Sequence, residues 1–229
     1  MISRRSFILA VAILPSVALT TSTSHAQQPP APDAPQLYAH MSSAMQQAGS
    51  VHIQVHTAVL PPGPQQTVRE TLAGSVDISS QQQLLHAVYT TAVTTLPSKA
   101  VVIRGRTTIV AVDGRSAQRE SGAPWWCQTV SSQDQSQVYA LTAFAFLPVT
   151  PHFIGGVTFA TVLGVAVWRI TIDLGNRTDV LNIARSNYRL VRIKEVSGVK
   201  SAANGVIETF SDFSRYGESV SAQLPAVCR

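Results

Sequence analysis

From residue 51 onward the chain alternates. Val51, Ile53, Val55, Thr57 and Val59 are apolar or β-branched and are separated by His52, Gln54, His56 and Ala58, the period of a strand with one buried face. The run stops at Pro61-Pro62-Gly63-Pro64, a turn sequence. Comparable segments at 68–78, 84–94, 100–112, 165–174, 180–184, 189–196 and 205–213 are parted by Gly, Asn, Ser or Pro. Short strands joined by brief turns predict an antiparallel meander, because parallel strands would need a helix between each pair.

Two stretches carry the helical period instead. Leu37, Met41, Ala44, Met45 and Ala48 recur at spacings of three and four, with Asp33 or Pro35 to start the turn and Gly49 to end it,. Residues 132–147 place Val138, Leu141, Phe144 and Ala145 on one side and stop at Pro148, which predicts a second cover helix. The uncharged stretch from Phe153 to Trp168 is shorter than the roughly 20 residues that span a bilayer. Its Gly155, Gly156 and Gly164 predict a flexible loop entering a strand. The fold class expected is α+β and β-rich, a curved antiparallel sheet covered by a few helices.

The first 26 residues read as an export signal. Arg4-Arg5-Ser6-Phe7-Ile8-Leu9 leads into a modestly apolar stretch, and Ser24-His25-Ala26 supplies small residues for cleavage after Ala26. This resembles a twin-arginine signal peptide, with the general secretory route as the alternative. Residues 27–34 form a Pro-rich tether, and 35–229 form the folded domain. About 200 mature residues suffice for one domain with a sizeable core. The expected location is the periplasm, cell envelope or extracellular space. The chain would be soluble once the signal is removed, or anchored by the signal if it is kept.

Charge narrows the function only a little. The net charge of +5 comes from 17 basic and 12 acidic side chains, scattered with no block of like charge, so no nucleic-acid partner is expected. Cys127 and Cys228 are the two cysteines. In an oxidising compartment they most simply form one disulfide, and neither their spacing nor their surroundings suggest a metal site or a catalytic thiol. His52 and His56 would share an ion on a helix but stand about 13 Å apart on a strand. No nucleophile elbow, acylation motif or zinc-protease motif is present. Gly198-Val199-Lys200-Ser201 lacks the glycines of a phosphate loop and reads as a turn,. No catalytic residue, metal or cofactor is therefore assigned.

The C-terminal half carries a family pattern. Gly164-Val165-Ala166-Val167-Trp168-Arg169-Ile170-Thr171-Ile172, Val180-Leu181-Asn182-Ile183-Ala184, Tyr188-Arg189-Leu190-Val191-Arg192-Ile193 and Phe210-Ser211-Asp212-Phe213 together resemble the LolA-like lipoprotein carrier superfamily. Within it, the pattern is most similar to the LppX/LprG-type envelope lipoproteins, although no lipid-anchoring Cys follows the signal. The resemblance implies an incomplete antiparallel β-barrel capped by helices, with a hydrophobic cavity for acyl chains and no catalytic residues. It implies a non-enzymatic carrier of lipid or another hydrophobic ligand, with a membrane surface or envelope protein as a further contact. The alternative is an RseB-like envelope sensor or protein-interaction module of the same fold. On that architecture Trp126, Leu141, Phe144, Phe153 and Phe159 are expected to wall the cavity between the sheet and the second helix.

Overall fold

A computed structural model describes residues 32–60, 68–95, 100–130, 147–148, 150–198 and 206–229. Helix α1 spans Ala34–Ala48. Its N-cap is Asp33, whose carboxylate accepts a hydrogen bond from the Gln36 backbone N–H at 2.8 Å, satisfying one of the free amides of the first turn. Gly49 ends it at φ 71°, the left-handed position that glycine occupies without a Cβ clash. Leu37, Met41 and Met45 form its buried stripe, as their spacing requires.

Eleven strands follow among the described residues: β1 Ser50–Leu60, β2 Val68–Ser79, β3 Leu84–Thr95, β4 Ala100–Val112, β5 Arg115–Glu120, β6 Trp126–Thr129, β7 His152–Val162, β8 Val165–Asp173, β9 Arg177–Ala184, β10 Leu190–Ser197 and β11 Val206–Ser214. They make one sheet in the order β6-β5-β4-β3-β2-β1-β11-β10-β9-β8-β7, with every neighbouring pair antiparallel. The order is two meanders, β1 to β6 and β7 to β11, joined where β1 meets β11. It is linear, with β6 and β7 at its edges, so the curved sheet stays open as an incomplete barrel.

One face of this sheet, here the inner face, lies under α1. Val51 and Ile53 of β1, Val76 and Ile78 of β2, Ile170 and Ile172 of β8, Leu181 and Ile183 of β9 and Phe213 of β11 pack there with the helix stripe. The outer face is charged. Arg192 makes a bidentate ion pair with Asp212, Lys194 pairs with Glu208 at 3.0 Å, and His52 Nδ1 lies 2.6 Å from Asp77. Cross-strand neighbours share a face, so these pairs fix the register of β10 on β11 and of β1 on β2. A smaller apolar group, Val162, Val167, Ala184 and Val191, sits apart from the main core.

Several sequence expectations change. The stretch from Phe153 to Trp168 enters the expected strand, β8, but its first part is strand β7 and not a flexible loop. Its glycines are absorbed locally, Gly155 at φ 71° in an irregularity between Ile154 and Thr158, and Leu163-Gly164 as a two-residue turn at φ 51° and 78°. Asp113-Gly114 turns β4 into β5 in the same way, at φ 46° and 76°. Two positive φ angles match the twist of an antiparallel pair. The second helix expected at 132–147 lies outside the described residues except for its last position, Leu147, which is buried and not helical.

The C-terminal tail folds back over the sheet. Ser50 donates from its hydroxyl to the Glu218 carbonyl at 2.6 Å, and the Gly217 N–H donates to the Ser50 carbonyl at 3.2 Å. Farther on, the short turn Ala226–Cys228 lies against β5 and β6. There Cys127 and Cys228 are disulfide-bonded with Cα atoms 5.4 Å apart. The bond closes a loop across 101 positions, which stabilises chiefly by restricting the unfolded chain, by about 2 to 4 kcal/mol.

Thiol titration of the denatured, unreduced protein should therefore find no free sulfhydryl. Cys127→Ser should lower stability by about 2 to 4 kcal/mol in urea melts while leaving the far-ultraviolet circular dichroism spectrum unchanged. Leu163 is an exposed, bulky residue held at positive φ. Leu163→Asn should raise stability by roughly 0.5 to 1 kcal/mol, because Asn-Gly is a preferred pair for this turn.

Candidate functional site

The inner face is the candidate site, and register decides which side chains reach it. Ile53 pairs with Val76, Val76 with Ala87, Ala87 with Ile109, Ile109 with Gln118, and Gln118 with Trp126. Because directly opposed residues share a face, this row carries the core side of β1 out to Trp126. At the other edge Phe153 opposes Ile172 and Phe159 opposes Trp168. Both partners are core residues, so both phenylalanines also stand on the inner face.

Of the five residues expected to wall a cavity, the three described ones thus share a face but not a location. Trp126 is on β6 and is 61% exposed, whereas Phe159 is on β7 and is 57% exposed. They occupy opposite edges of the strand order. Phe153 is half-buried and meets the Tyr38 ring of α1 edge-on at 5.8 Å. Leu141 and Phe144 lie outside the described residues.

Aromatic groups gather around Phe159. Trp168 stacks on Tyr188 with ring centroids 5.3 Å apart, and Tyr188 in turn lies 4.9 Å from His40 of α1. The Arg185 guanidinium sits 5.2 Å from the Phe159 ring and 5.7 Å from Trp168. A cation over two ring faces is favourable and leaves the rings' apolar area in place. The Trp168 indole N–H is buried and meets no hydrogen-bond acceptor among the described residues.

A polar cluster interrupts the apolar surface. Arg177 reaches Asp179 at 2.8 Å and Glu195 at 3.6 Å. Asp179 and Glu195 are opposed across β9 and β10, and Asp179 alternates with Leu181 and Ile183, so the triad faces inward. Asp179 is fully buried, and its Oδ1 atom has no hydrogen-bond partner among the described residues. Burial raises its carboxyl above the ordinary value of 3.8, against the opposing pull of Arg177. Burial likewise raises Glu195 above 4.5, with Arg177 opposing and Asp179 assisting. Tyr38, which donates to the Pro148 carbonyl at 2.8 Å, is pushed up to about 12 by burial and then by the Asp179 charge.

The sequence reading missed this triad. Its signal was present: Arg177 and Asp179 are two apart in a strand and fall on the same side as the apolar Leu181 and Ile183, where charged residues are costly. Chemically, the inner face offers apolar and aromatic area with one buried acidic centre. Among the described residues no three His, Cys, Asp or Glu side chains gather to hold a metal ion.

No protein-family model matches the chain, and no curated protein matches it. Among solved structures, MucB in complex with the periplasmic part of MucA is similar at 13% identity and a TM-score of 0.39, covering 86% of this chain and 61% of that one. The MucA/MucB complex of Pseudomonas aeruginosa is similar at 11% identity and a TM-score of 0.38, covering 85% and 62%. A putative outer membrane lipoprotein-sorting protein domain from Vibrio parahaemolyticus is similar at 9% identity and a TM-score of 0.30, covering 81% and 93%. The chain spans about three-fifths of the length of MucB. The architecture of this protein is defined by its own strand order and register.

The raised carboxyls give a pH dependence with a definite sign. The folded state holds protons on Asp179 and Glu195 that the unfolded chain has already lost, so stability contributed by these groups is full below their ordinary values. It is lost as pH rises through their raised ones,. Urea midpoints measured upward from pH 3.8 should fall across this window, and Asp179→Asn should flatten the fall.

Proposed function

We propose that this chain is an exported, non-enzymatic carrier or binding protein for a lipid or other hydrophobic ligand of the bacterial envelope, nearest in kind to the LppX/LprG group. The observation that supports it is the inner face itself, whose apolar core is continued to the edges of an open sheet by single aromatic side chains. Phe159 and Trp126 are left exposed there. Burying an acyl chain on such a face stabilises by about 0.8 kcal/mol per methylene without any reactive group. The cavity walls would be Trp126, Leu141, Phe144, Phe153 and Phe159, with residues 132–147 as the cover.

A second reading, an RseB-like interaction module, draws on a different feature. β7 is an edge strand, and Ile154, Phe159, Leu163 and Val165 on and beside it are exposed apolar residues. Such an edge can accept an extended peptide from a partner protein.

Native mass spectrometry and organic extraction of protein purified from its own envelope separate the two. The carrier reading expects a bound lipid, with loading reduced severalfold in Phe159→Asp while the circular dichroism spectrum is unchanged. Repeated recovery of lipid-free protein with one stoichiometric protein partner overturns it in favour of the interaction module.

A further inference from the structure

The β3–β4 hairpin carries a separate surface. Between Leu84 and Val112 the chain contains no acidic residue, while Lys99, Arg104 and Arg106 lie within it. At its outer end three consecutive apolar residues of β4 are exposed: Val101 at 63%, Val102 at 49% and Ile103 at 69%. Successive strand residues point to opposite faces, so exposure of all three means that neither face of this stretch is covered by the described residues. The neighbour β5 stops short of it: its pairing with β4 ends at Thr107↔Glu120, and Ser121 donates to the Arg106 carbonyl at 2.8 Å. Beyond Arg106, β4 has no partner on that side among the described residues.

Cations sit directly behind the apolar tip. Arg104 and Arg106 are exposed and make no ion pair among the described residues. Behind them Arg119 lies 4.6 Å over the Trp125 ring, and Trp126 follows on β6. Two acids stand near: Glu120, opposite Thr107, and Glu70, two strands from Val102 in the row Glu70↔Val93↔Val102. The order along the surface is aliphatic, then guanidinium, then indole. Exposed aliphatic side chains flanked by guanidinium groups suit the boundary between hydrocarbon and phosphates.

We propose that the β3–β4 tip is a membrane-docking element, with Val101, Val102 and Ile103 entering the interface of an anionic phospholipid surface and Arg104 and Arg106 pairing with its phosphates. Charge complementarity selects this occupant over a neutral bilayer: each arginine near an anionic surface adds about a fivefold increase in binding, and the tip supplies the apolar area that keeps it there. The inference rests on this surface alone, so it stands or falls apart from whether the inner face holds a lipid.

The test uses vesicles of phosphatidylcholine, with and without phosphatidylglycerol, and the full chain, with every variant carrying the same N-terminus. Val102→Cys labelled with an environment-sensitive fluorophore reads the tip itself. The expected result is a blue shift and co-sedimentation with the phosphatidylglycerol vesicles only, weakening as salt rises. The double substitution Arg104→Gln with Arg106→Gln should weaken binding by roughly 25-fold, with Lys at both positions restoring most of it. Val101→Ser with Ile103→Ser should abolish the blue shift. These side chains are exposed, so circular dichroism spectra should match the wild type. A labelled tip that stays unshifted on anionic vesicles at low salt overturns the proposal, as does equal binding by the Val101/Ile103 variant. Lipid extraction on the same samples tests the carrier reading independently.

Discussion

The ladder between β1 and β11 holds the molecule together. It runs from His52↔Ser214 to Leu60↔Val206 and unites the first strand of the sheet with the last. Without it the β1–β6 and β7–β11 meanders would be separate sheets, each with a bare edge. Helix α1 would then have only part of its core. The side chains in the ladder match this role: Ile53 and Phe213 are opposed and both buried under the helix, and the Thr57 and Thr209 hydroxyls are 2.9 Å apart. Closing so long a loop is entropically costly, and the core gathered on both sides of the join offsets that cost.

The same join explains why the two faces differ so sharply. Apolar positions from both meanders must meet α1 on one face, so charged and polar pairs are driven to the other, where the Arg192–Asp212 and Lys194–Glu208 ion pairs and the His52–Asp77 hydrogen bond stitch neighbouring strands. Arg177, Asp179 and Glu195 are the exception. Placing two carboxylates and one guanidinium on the inner face works against stability, as the raised carboxyls record,. A protein with only a core to fill would gain by replacing them with apolar residues, which makes this cluster a feature to follow in any bound state.

The open ends of the sheet give the molecule its surfaces. β6 is held by the tail through Cys127–Cys228, which anchors one edge without adding a strand. β7 has no comparable tie among the described residues, and its apolar side chains stay exposed. The outer end of β4 is bare on one side because its pairing with β5 stops at Thr107. The two edges follow from a sheet that does not close, and the bare end of β4 from a neighbour shorter than itself.

By itself the sequence determined the local structure. The capped, striped helix from Asp33 to Gly49 and the alternation of β1 were legible because each depends on residues a few positions apart. The disulfide was legible because two lone cysteines in a chain expected to be exported most simply pair. Strand β7 was misread because glycines signal a break in a local window, while in the fold an irregularity in the ladder and a tight turn absorb them. Only tertiary structure could set the pairing of β1 with β11, the opposite placement of Trp126 and Phe159, and the inward turn of Arg177 and Asp179. The physical reason is that a strand's period says which residues share a face. Which face meets the helix, and which strand lies alongside, is settled by burial summed over segments more than a hundred residues apart.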